Sequence, residues 1–355
     1  MRVVDAWVSG VEGLEVVFRL ADPGHDLAGV RLDKDRGLGG EVEFAAVERG
    51  WELRIPRPPV HRMEYKFELS HADGTTTSIT DPPNPLVVGG PFGEKSWLAM
   101  PGYTAPGWVD IEPVPSAVVP LELPDTAVGA VDAGVWAPEG TDGEELPLLV
   151  AHDGPEFATC AGLTHWAGAM VACGKLRPFR LVLVAPGERD LLYGANADYA
   201  KALTGQVLPA VTAAYACAPG PVLIGASLGA LAALHAEWSY PGTFAGLFLQ
   251  SGSFFTPATD PQESGFSRFA EVTSFVETVL TATGSPTRAA IAMTCGTCEE
   301  NAHNNRVLAA RLRTLGLETR YDEGRDMHTF TGWRDVLDPG LTGLLQRLWR
   351  PADGP

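Results

Sequence analysis

The stretch PVLIGASLGALAALHAEW, residues 221–238, decides the fold of this 355-residue chain. Its opening residues form an apolar run typical of a buried strand, and Leu228 to Trp238 form an apolar, alanine-rich run typical of a helix. Between them lies the one Gly-x-Ser-x-Gly motif of the sequence, centred on Ser227. Strand, tight turn and helix are the parts of a nucleophile elbow, where small neighbours of the serine permit a strained turn. The stretch predicts Ser227 as a nucleophile and the Leu228 N–H as an oxyanion donor.

Similar apolar runs, each followed by a helical pattern, occur from about residue 127 onward. Such alternation is typical of a parallel sheet covered by helices on both faces, with ligands bound at the carboxyl ends of the strands. We therefore predict an α/β-hydrolase catalytic domain over residues 127–355. The other predicted strands are Gly134–Ala137, Leu146–Ala151, Leu181–Ala185, Gly246–Leu249 and Ala289–Met293.

The first part of the chain has a different pattern of polar and apolar residues. Short runs such as Gly13–Leu20, Trp51–Ile55 and Tyr65–Leu69 alternate polar and apolar residues, and turn signals such as Asp73-Gly74 separate them. This pattern predicts an all-β sandwich domain over residues 1–101. The proline-rich stretch 102–126 lacks a clear period and is predicted to be an extended linker.

Composition excludes several classes of partner. The formal net charge is -18, which argues against nucleic acid because phosphate contacts need a basic surface. No stretch approaches 18 uninterrupted apolar residues, so no membrane span is expected. The amino terminus lacks a secretory pattern and the cysteine count of five is odd, so we expect a cytoplasmic protein with reduced thiols. The oligomeric state is left open.

The catalytic base should follow the nucleophile, after an acid, in the order Ser, Asp/Glu, His. His328 follows the predicted last strand, Glu318–Tyr321, and precedes a terminal helix, which makes it the predicted base. His235 falls within the helix after the elbow, and His303 sits early in a later helix, where capping or solvent contact is the expected role. His152 precedes the nucleophile and is expected to orient a loop.

The acid should lie just after the strand that ends near Met293. The sequence CGTCEEN, residues 295–301, places Glu299 and Glu300 there. Glu299 is our choice for orienting the imidazole and Glu300 is the alternative. The Cys295-x-x-Cys298 pair lacks a second ligand pair at zinc spacing, so we interpret it as structural coincidence.

The second oxyanion donor is expected in the loop His152-Asp153-Gly154-Pro155-Glu156-Phe157. Pro155 has no N–H, so the donor should be the backbone of Gly154, Glu156 or Phe157. Phe157 and Glu156 are also expected to line the pocket. No nucleotide-binding glycine motif occurs, and the sequence predicts neither a metal nor a cofactor.

The segments HDGPEF, GASLGALAALHAEWSYPGTFAGLFLQSGSFF, CGTCEEN and HTFTGWRD resemble the putative-esterase family, which includes enterochelin esterases, feruloyl esterases and antigen 85-type mycolyltransferases. The resemblance covers about residues 130 to 350. It implies Ser227 as nucleophile, His328 as base and Glu299 as acid. It also implies substrate contact for Arg189, with a surface ion pair as the alternative, and we add Phe157 and Trp333 to the expected substrate-binding residues.

Two further points follow from the resemblance. The N-terminal part resembles the early-set, Ig-like sandwich that precedes such catalytic domains, with glycan binding or a structural or lid role as its expected functions. The histidine loop reads Asp326-Met327-His328-Thr329, whereas the family commonly has glycines before the histidine and an aspartate after it. This departure leaves the substrate open.

The expected function is hydrolysis of a small-molecule ester or lactone through an acyl-enzyme on Ser227. The two-domain layout resembles enterochelin esterases, so a siderophore or related macrolactone is the first substrate hypothesis. The alternatives are an acyltransferase that uses the same triad and a catalytically inert glycan-binding protein.

Overall fold

The computed structural model describes residues 7–35, 37–91, 93–123 and 125–350. These residues form two compact units. The first unit contains the chain up to Thr104 together with two short later segments, 297–300 and 325–328. The second unit contains residues from Ala105 onward apart from those two segments.

The described part of the first unit is all-β. Four strands form one antiparallel sheet in the order β1-β2-β5-β4, and the others form a second antiparallel sheet in the order β3-β6-β9-β8, with β7 paired to β6. The strands are β1 (Gly10–Glu12), β2 (Glu15–Ala21), β3 (Leu27–Lys34), β4 (Ala45–Val47), β5 (Gly50–Pro56), β6 (Arg62–His71), β7 (Thr76–Ile79), β8 (Val87–Val88) and β9 (Lys95–Ala99).

Apolar side chains of the two antiparallel sheets share one core. Phe18 of β2 meets Tyr65 of β6 edge-on, with ring centroids 4.9 Å apart. Leu53 and Ile55, on alternate positions of β5, are buried in the same cluster. The alternation seen in the sequence therefore has its physical cause in strands with one buried face, and all three quoted strand predictions are confirmed.

The second unit contains a sheet of eight described strands in the order β10-β11-β13-β12-β14-β15-β16-β17. All pairs from β13-β12 to β16-β17 are parallel. The strands are β10 (Ser116–Leu121), β11 (Ala133–Pro138), β12 (Leu148–Ala151), β13 (Arg180–Val184), β14 (Val222–Ala226), β15 (Gly246–Gln250), β16 (Ala290–Gly296) and β17 (Thr319–Gly324).

Helices follow most of the parallel strands. They are α1 (Gly154–Cys160), α2 (Leu163–Ala172), α3 (Arg189–Tyr193), α4 (Ala197–Ala202), α5 (Leu208–Ala214), α6 (Leu228–Ser239), α7 (Phe269–Thr281), α8 (Ala302–Thr314), α9 (Phe330–Asp335) and α10 (Thr342–Leu348). No helix among the described residues is long and apolar enough to cross a membrane.

The parallel strands are apolar throughout because both faces of the sheet are covered. Val150 and Leu223 lie in one buried cluster, whereas their neighbours Leu149 and Ile224 lie in another. A strand whose successive side chains enter two cores has no polar face, which explains the continuous runs in the sequence.

One predicted strand runs against the expected direction. The segment Gly134–Ala137 lies in β11, which pairs antiparallel with β13 and with β10. The connection from β11 to β12 covers only residues 139–147, which is too short for a helical crossover, so β11 cannot return parallel. The sheet is therefore mixed, with an antiparallel edge.

The predicted linker contains regular structure. A single 3-10 turn spans Gly107–Asp110, and β10 forms an edge strand of the large sheet. Pro124 lies outside the described residues. The domain boundaries at 101 and 127 stay predictions.

Glu237 is a fully buried carboxylate in helix α6, whose residues are mostly apolar. It accepts hydrogen bonds from Gly242 N at 2.8 Å, from Phe244 N at 2.9 Å and from the Thr287 hydroxyl. Its carboxylate thereby satisfies backbone donors of the turn that leads into β15.

We predict that Glu237→Ala lowers the free energy of unfolding by about 3 kcal/mol, because two backbone N–H groups would lose a charged acceptor. Urea denaturation followed by circular dichroism measures the change. The exposed Glu277→Ala on α7 is the matched control and should change stability by less than about 0.5 kcal/mol. A Glu237→Ala midpoint equal to the wild-type midpoint would contradict this stabilising role.

Candidate active site

Ser227 occupies a strained turn between β14 and α6. Its φ is 56° and its ψ is -124°, a region that residues with a side chain rarely adopt. The Ser227 N–H donates to the Gln250 carbonyl at 2.9 Å, which ties the turn to the end of the neighbouring strand β15. The sequence 221–238 thus folds as the strand, turn and helix that its pattern predicts.

Close packing requires glycine at Gly225 and leaves little room for a side chain at Gly229. A Cβ at Gly225 would lie 2.3 Å from the Gly229 carbonyl oxygen. A Cβ at Gly229 would lie 3.2 Å from an Asp153 carboxylate oxygen and 3.3 Å from the His152 Cβ. The turn therefore favours small residues two positions before and after Ser227.

The loop after β12 lies beside this turn. Strands β12 and β14 are neighbours, and the His152 N–H extends their pairing by donating to Ile224 O at 3.0 Å. Asp153 then adopts a left-handed conformation, with φ 49°, and α1 begins at Gly154. A Cβ at Gly154 would lie 2.3 Å from the Leu183 Cα, so this position also demands glycine.

The candidate oxyanion donors are backbone N–H groups at two helix starts. Leu228 is the first residue of α6 and Gly154 the first of α1, and first-turn N–H groups have no intrahelical acceptor. The Phe157 N–H instead donates to Asp153 O at 2.8 Å. The sequence left the backbone N–H groups of Gly154, Glu156 and Phe157 as candidates for the second oxyanion donor. Those of Gly154 and Glu156 therefore remain.

His152 is fully buried next to the elbow. Its Nδ1 lies 2.8 Å from Gly229 O, which can only accept, so Nδ1 carries the proton. Its ring packs against Tyr193 and Tyr199, with centroids 4.7 and 5.6 Å away. Burial lowers the pKa of His152 to about 4, so the ring is neutral at pH 7. These contacts match the loop-orienting role expected for this histidine.

Arg189 forms a two-pronged ion pair with Asp153. Its Nε and Nη2 donate to the two carboxylate oxygens at 2.7 and 2.9 Å. Nη2 also lies 3.4 Å from the carbonyl of Ala226, the residue before Ser227. The structure thus shows the ion-pair alternative for Arg189, and its contact with substrate stays a prediction.

The turn after β15 supplies a second serine that sequence reasoning missed. The Ser253 hydroxyl lies 3.1 Å from the Ser227 hydroxyl, and the Ser253 N–H donates to Ser227 O at 3.1 Å. Asn305 holds the preceding Gly252 from both sides, accepting from its N–H at 3.1 Å and donating to its carbonyl at 2.9 Å. The only sequence signal was the small-residue run after an apolar strand.

Phe157 and Trp333, predicted to bind substrate, belong to the core in this structure. Phe157 is fully buried and Trp333 is 6% exposed, and their rings stack with centroids 6.0 Å apart. The Trp333 indole N–H donates to the Ser251 hydroxyl at 2.9 Å. Substrate contact by these rings stays a prediction.

His328 and Glu299 form a hydrogen-bonded pair in the first unit. The His328 Nδ1 lies 2.8 Å from a Glu299 carboxylate oxygen, with the histidine side chain 32% exposed and the glutamate side chain 1% exposed. A carboxylate at Nδ1 fixes the tautomer that carries its proton there and leaves Nε2 as the acceptor. Glu300, the alternative acid, is exposed, so Glu299 is the partner of this imidazole.

The other sequence candidates lie in different surroundings. His235 packs edge-on against Phe275 at 4.8 Å, and burial lowers its pKa to about 4. His303 is exposed on α8. Cys295 and Cys298, both described, are not joined by a disulfide. Within the part of the chain that the structure describes, no three His, Cys, Asp or Glu side chains group as a metal site would need.

Solved structures with a similar fold include esterases. The enterobactin esterase from Shigella flexneri, solved in the presence of 2,3-di-hydroxy-N-benzoyl-glycine, is 21% identical, with 95% of this chain and 94% of that chain covered and a TM-score of 0.75. The ferric enterobactin esterase from Salmonella typhimurium is 22% identical, with 94% of each chain covered and a TM-score of 0.76. A feruloyl esterase module from Clostridium thermocellum, complexed with sinapinate, is 14% identical, with 71% of this chain and 96% of that module covered and a TM-score of 0.52.

A comparison with curated protein sequences gave no match. A family model described as "Putative esterase" matches residues 130–344. Because this match extends over more than half of the chain, the protein belongs to the Esterase family.

Proposed function

We propose that this protein is a serine esterase in which Ser227 is the nucleophile, His328 the general base and Glu299 the residue that orients the base. The observation that carries the proposal is the left-handed conformation of Ser227 at the start of α6, since strain is retained at such a turn where it presents a reactive hydroxyl. The 2.8 Å hydrogen bond between His328 and Glu299 supports the other two roles.

The chemistry of the proposed reaction uses these groups in two steps. The Ser227 oxygen attacks the ester carbonyl carbon while its proton passes to His328 Nε2, and the protonated imidazole then gives that proton to the departing alcohol. Water attacks the resulting acyl-enzyme with the same base, and the free acid leaves. Glu299 stabilises the imidazolium in both steps.

The oxyanion formed in each step needs donors near Ser227. The proposed donors are the Leu228 N–H and the N–H of Gly154 or Glu156. These groups lie in the first turns of α6 and α1, the helices that follow the neighbouring strands β14 and β12. Partial positive charge at a helix start favours the negative oxygen. A side chain at Gly154 would displace this loop from Leu183.

For the substrate, we propose a siderophore-like or macrolactone ester. The support is the likeness in fold to enterobactin esterases over 94–95% of this chain, which includes the all-β first unit. The Shigella flexneri enzyme was solved in the presence of 2,3-di-hydroxy-N-benzoyl-glycine and, in a second structure, in the presence of enterobactin.

Replacement of the nucleophile tests the mechanism. We predict one fluorophosphonate adduct on the wild-type protein by intact mass and none on Ser227→Ala, because only an activated serine reacts. Esterase kcat should fall about 10⁴-fold or more in this variant. Ser239→Ala, which removes an exposed serine at the end of α6, is the control and should keep the adduct. An adduct that persists in Ser227→Ala would refute Ser227 as the nucleophile.

Two adjacent glutamates allow a matched test of the acid. We predict that Glu299→Gln lowers kcat/KM by about 10²- to 10⁴-fold, because an amide cannot stabilise the imidazolium and favours the wrong tautomer. Glu300→Gln, one position away and exposed, should stay within about twofold of wild type because surface charges contribute little. Initial rates on a p-nitrophenyl ester measure both. Equal losses in the two variants would contradict the assignment of Glu299.

Substrate class is tested by comparing kcat/KM for a catechol trilactone with kcat/KM for simple p-nitrophenyl esters. The proposal predicts that the trilactone is preferred by at least about tenfold, because specificity is a difference in transition-state binding. Mass analysis of products with an added alcohol or sugar separates hydrolysis, which releases free acid, from acyl transfer, which forms a new ester. A preference for the simple esters would overturn the substrate class and leave the mechanism standing.

A further inference from the structure

The segment 325–328, which carries His328, contacts the loop before β6, β6 itself and the apolar core of the first unit. The His61 N–H donates to Arg325 O at 2.6 Å, and the Arg325 Nε donates to Pro59 O at 3.3 Å. Met327 is 1% exposed and belongs to the apolar core formed by the strands of this unit. Three contacts of different kinds thus precede the histidine.

The fourth contact is a buried ion pair. Arg62, the first residue of β6, donates from Nη2 to an Asp326 carboxylate oxygen at 2.7 Å. The two side chains are only 3% and 11% exposed. The guanidinium also lies over the Tyr103 ring, 5.2 Å from its centroid. A buried charge pair has one favourable geometry, so it fixes position more sharply than apolar contact does.

The segment that carries Glu299 is bound to the same structure. The Cys298 N–H donates to Asp326 O at 3.3 Å, so the two short segments are joined directly. Gly37 approaches so closely that a Cβ there would lie 1.8 Å from Cys298 O. The side chain of Cys298 packs against the apolar core of the first unit. Both members of the His328–Glu299 pair therefore follow a residue held by the first unit.

We propose that Arg62 is a positioning residue for the esterase reaction, which it serves by holding Asp326 and thereby setting His328 against Glu299. This inference rests on the proposed function, since it takes His328 as the base. The inference also gives a physical meaning to Asp326-Met327. The aspartate makes the ion pair and the methionine enters the core, so the chain is held at the two residues before His328.

The test separates position from folding by using four variants. Arg62→Met leaves Asp326 buried without its ion-pair partner and can fail to fold. The double variant Arg62→Met with Asp326→Leu replaces the pair by apolar side chains and is expected to stay folded. Arg62→Lys keeps the positive charge. Arg54→Met, on β5 of the same unit with a side chain 42% exposed, is the matched control.

The readouts are kcat and KM on a p-nitrophenyl ester, normalised to active sites titrated with fluorophosphonate, together with circular dichroism. We expect the double variant to be folded, with kcat lowered about 10- to 100-fold and KM within about twofold, because small displacements of a catalytic group act on the chemical step. Arg62→Lys should recover most of kcat. Arg54→Met should match wild type.

Each outcome decides one question. A folded double variant with wild-type kcat would overturn the positioning role, and so would a loss of kcat that Arg62→Lys shares in full. A loss that appears only as a smaller number of titratable sites, with kcat per site unchanged, would also overturn it, because it reports folding alone. An adduct that survives Ser227→Ala would instead refute the proposed function itself.

Discussion

The left-handed backbone at Ser227 is the constraint around which the second unit is organised. This backbone conformation is unfavourable for a residue with a side chain, so contacts with the neighbouring structure must hold Ser227 in it. Close packing does so at Gly225 and Gly229, where a Cβ would meet backbone or carboxylate oxygen. Hydrogen bonds do so at Gln250, whose carbonyl accepts from the serine N–H. The strands next to these contacts, β14 and β15, are parallel and fully buried, so they hold the contacting residues rigidly.

Two other residues near Ser227 also have a strained backbone, and buried polar contacts hold each of them in place. Asp153 and Ser251 also have positive φ values, 49° and 48°. Asp153 is held by the two-pronged ion pair with Arg189. Ser251 accepts from the Trp333 indole through its hydroxyl and from the Asn301 amide through its carbonyl, both at 2.9 Å. Three strained residues follow three adjacent strands, β12, β14 and β15, which is the edge where this type of sheet presents ligand-binding groups.

The His328–Glu299 pair is organised in a different way. No strained turn supports it; it is held by short segments that group with the all-β unit and make their contacts there. The ion pair of Arg62 with Asp326 and the burial of Met327 replace, in this chain, the regular secondary structure that supports Ser227. In the proposed mechanism, the all-β unit carries His328 and Glu299, which gives this region a role other than glycan binding that point variants can measure.

The sequence by itself determined the quoted strands and the elbow, because their signals are local: periodicity within ten residues and glycines two positions either side of Ser227. It missed β10 and the direction of β11, which depend on pairing and on connection length. It named Glu299 and His328 from chain order, although it left Glu300 open. The tertiary structure alone decided which glutamate pairs with the imidazole, and it alone brought Ser253 to Ser227. Arg62 and Asp326 are 264 positions apart, and no local pattern marks such a pair. Long-range packing selects these partners, since the desolvation of a charge is known only once the chain has folded around it.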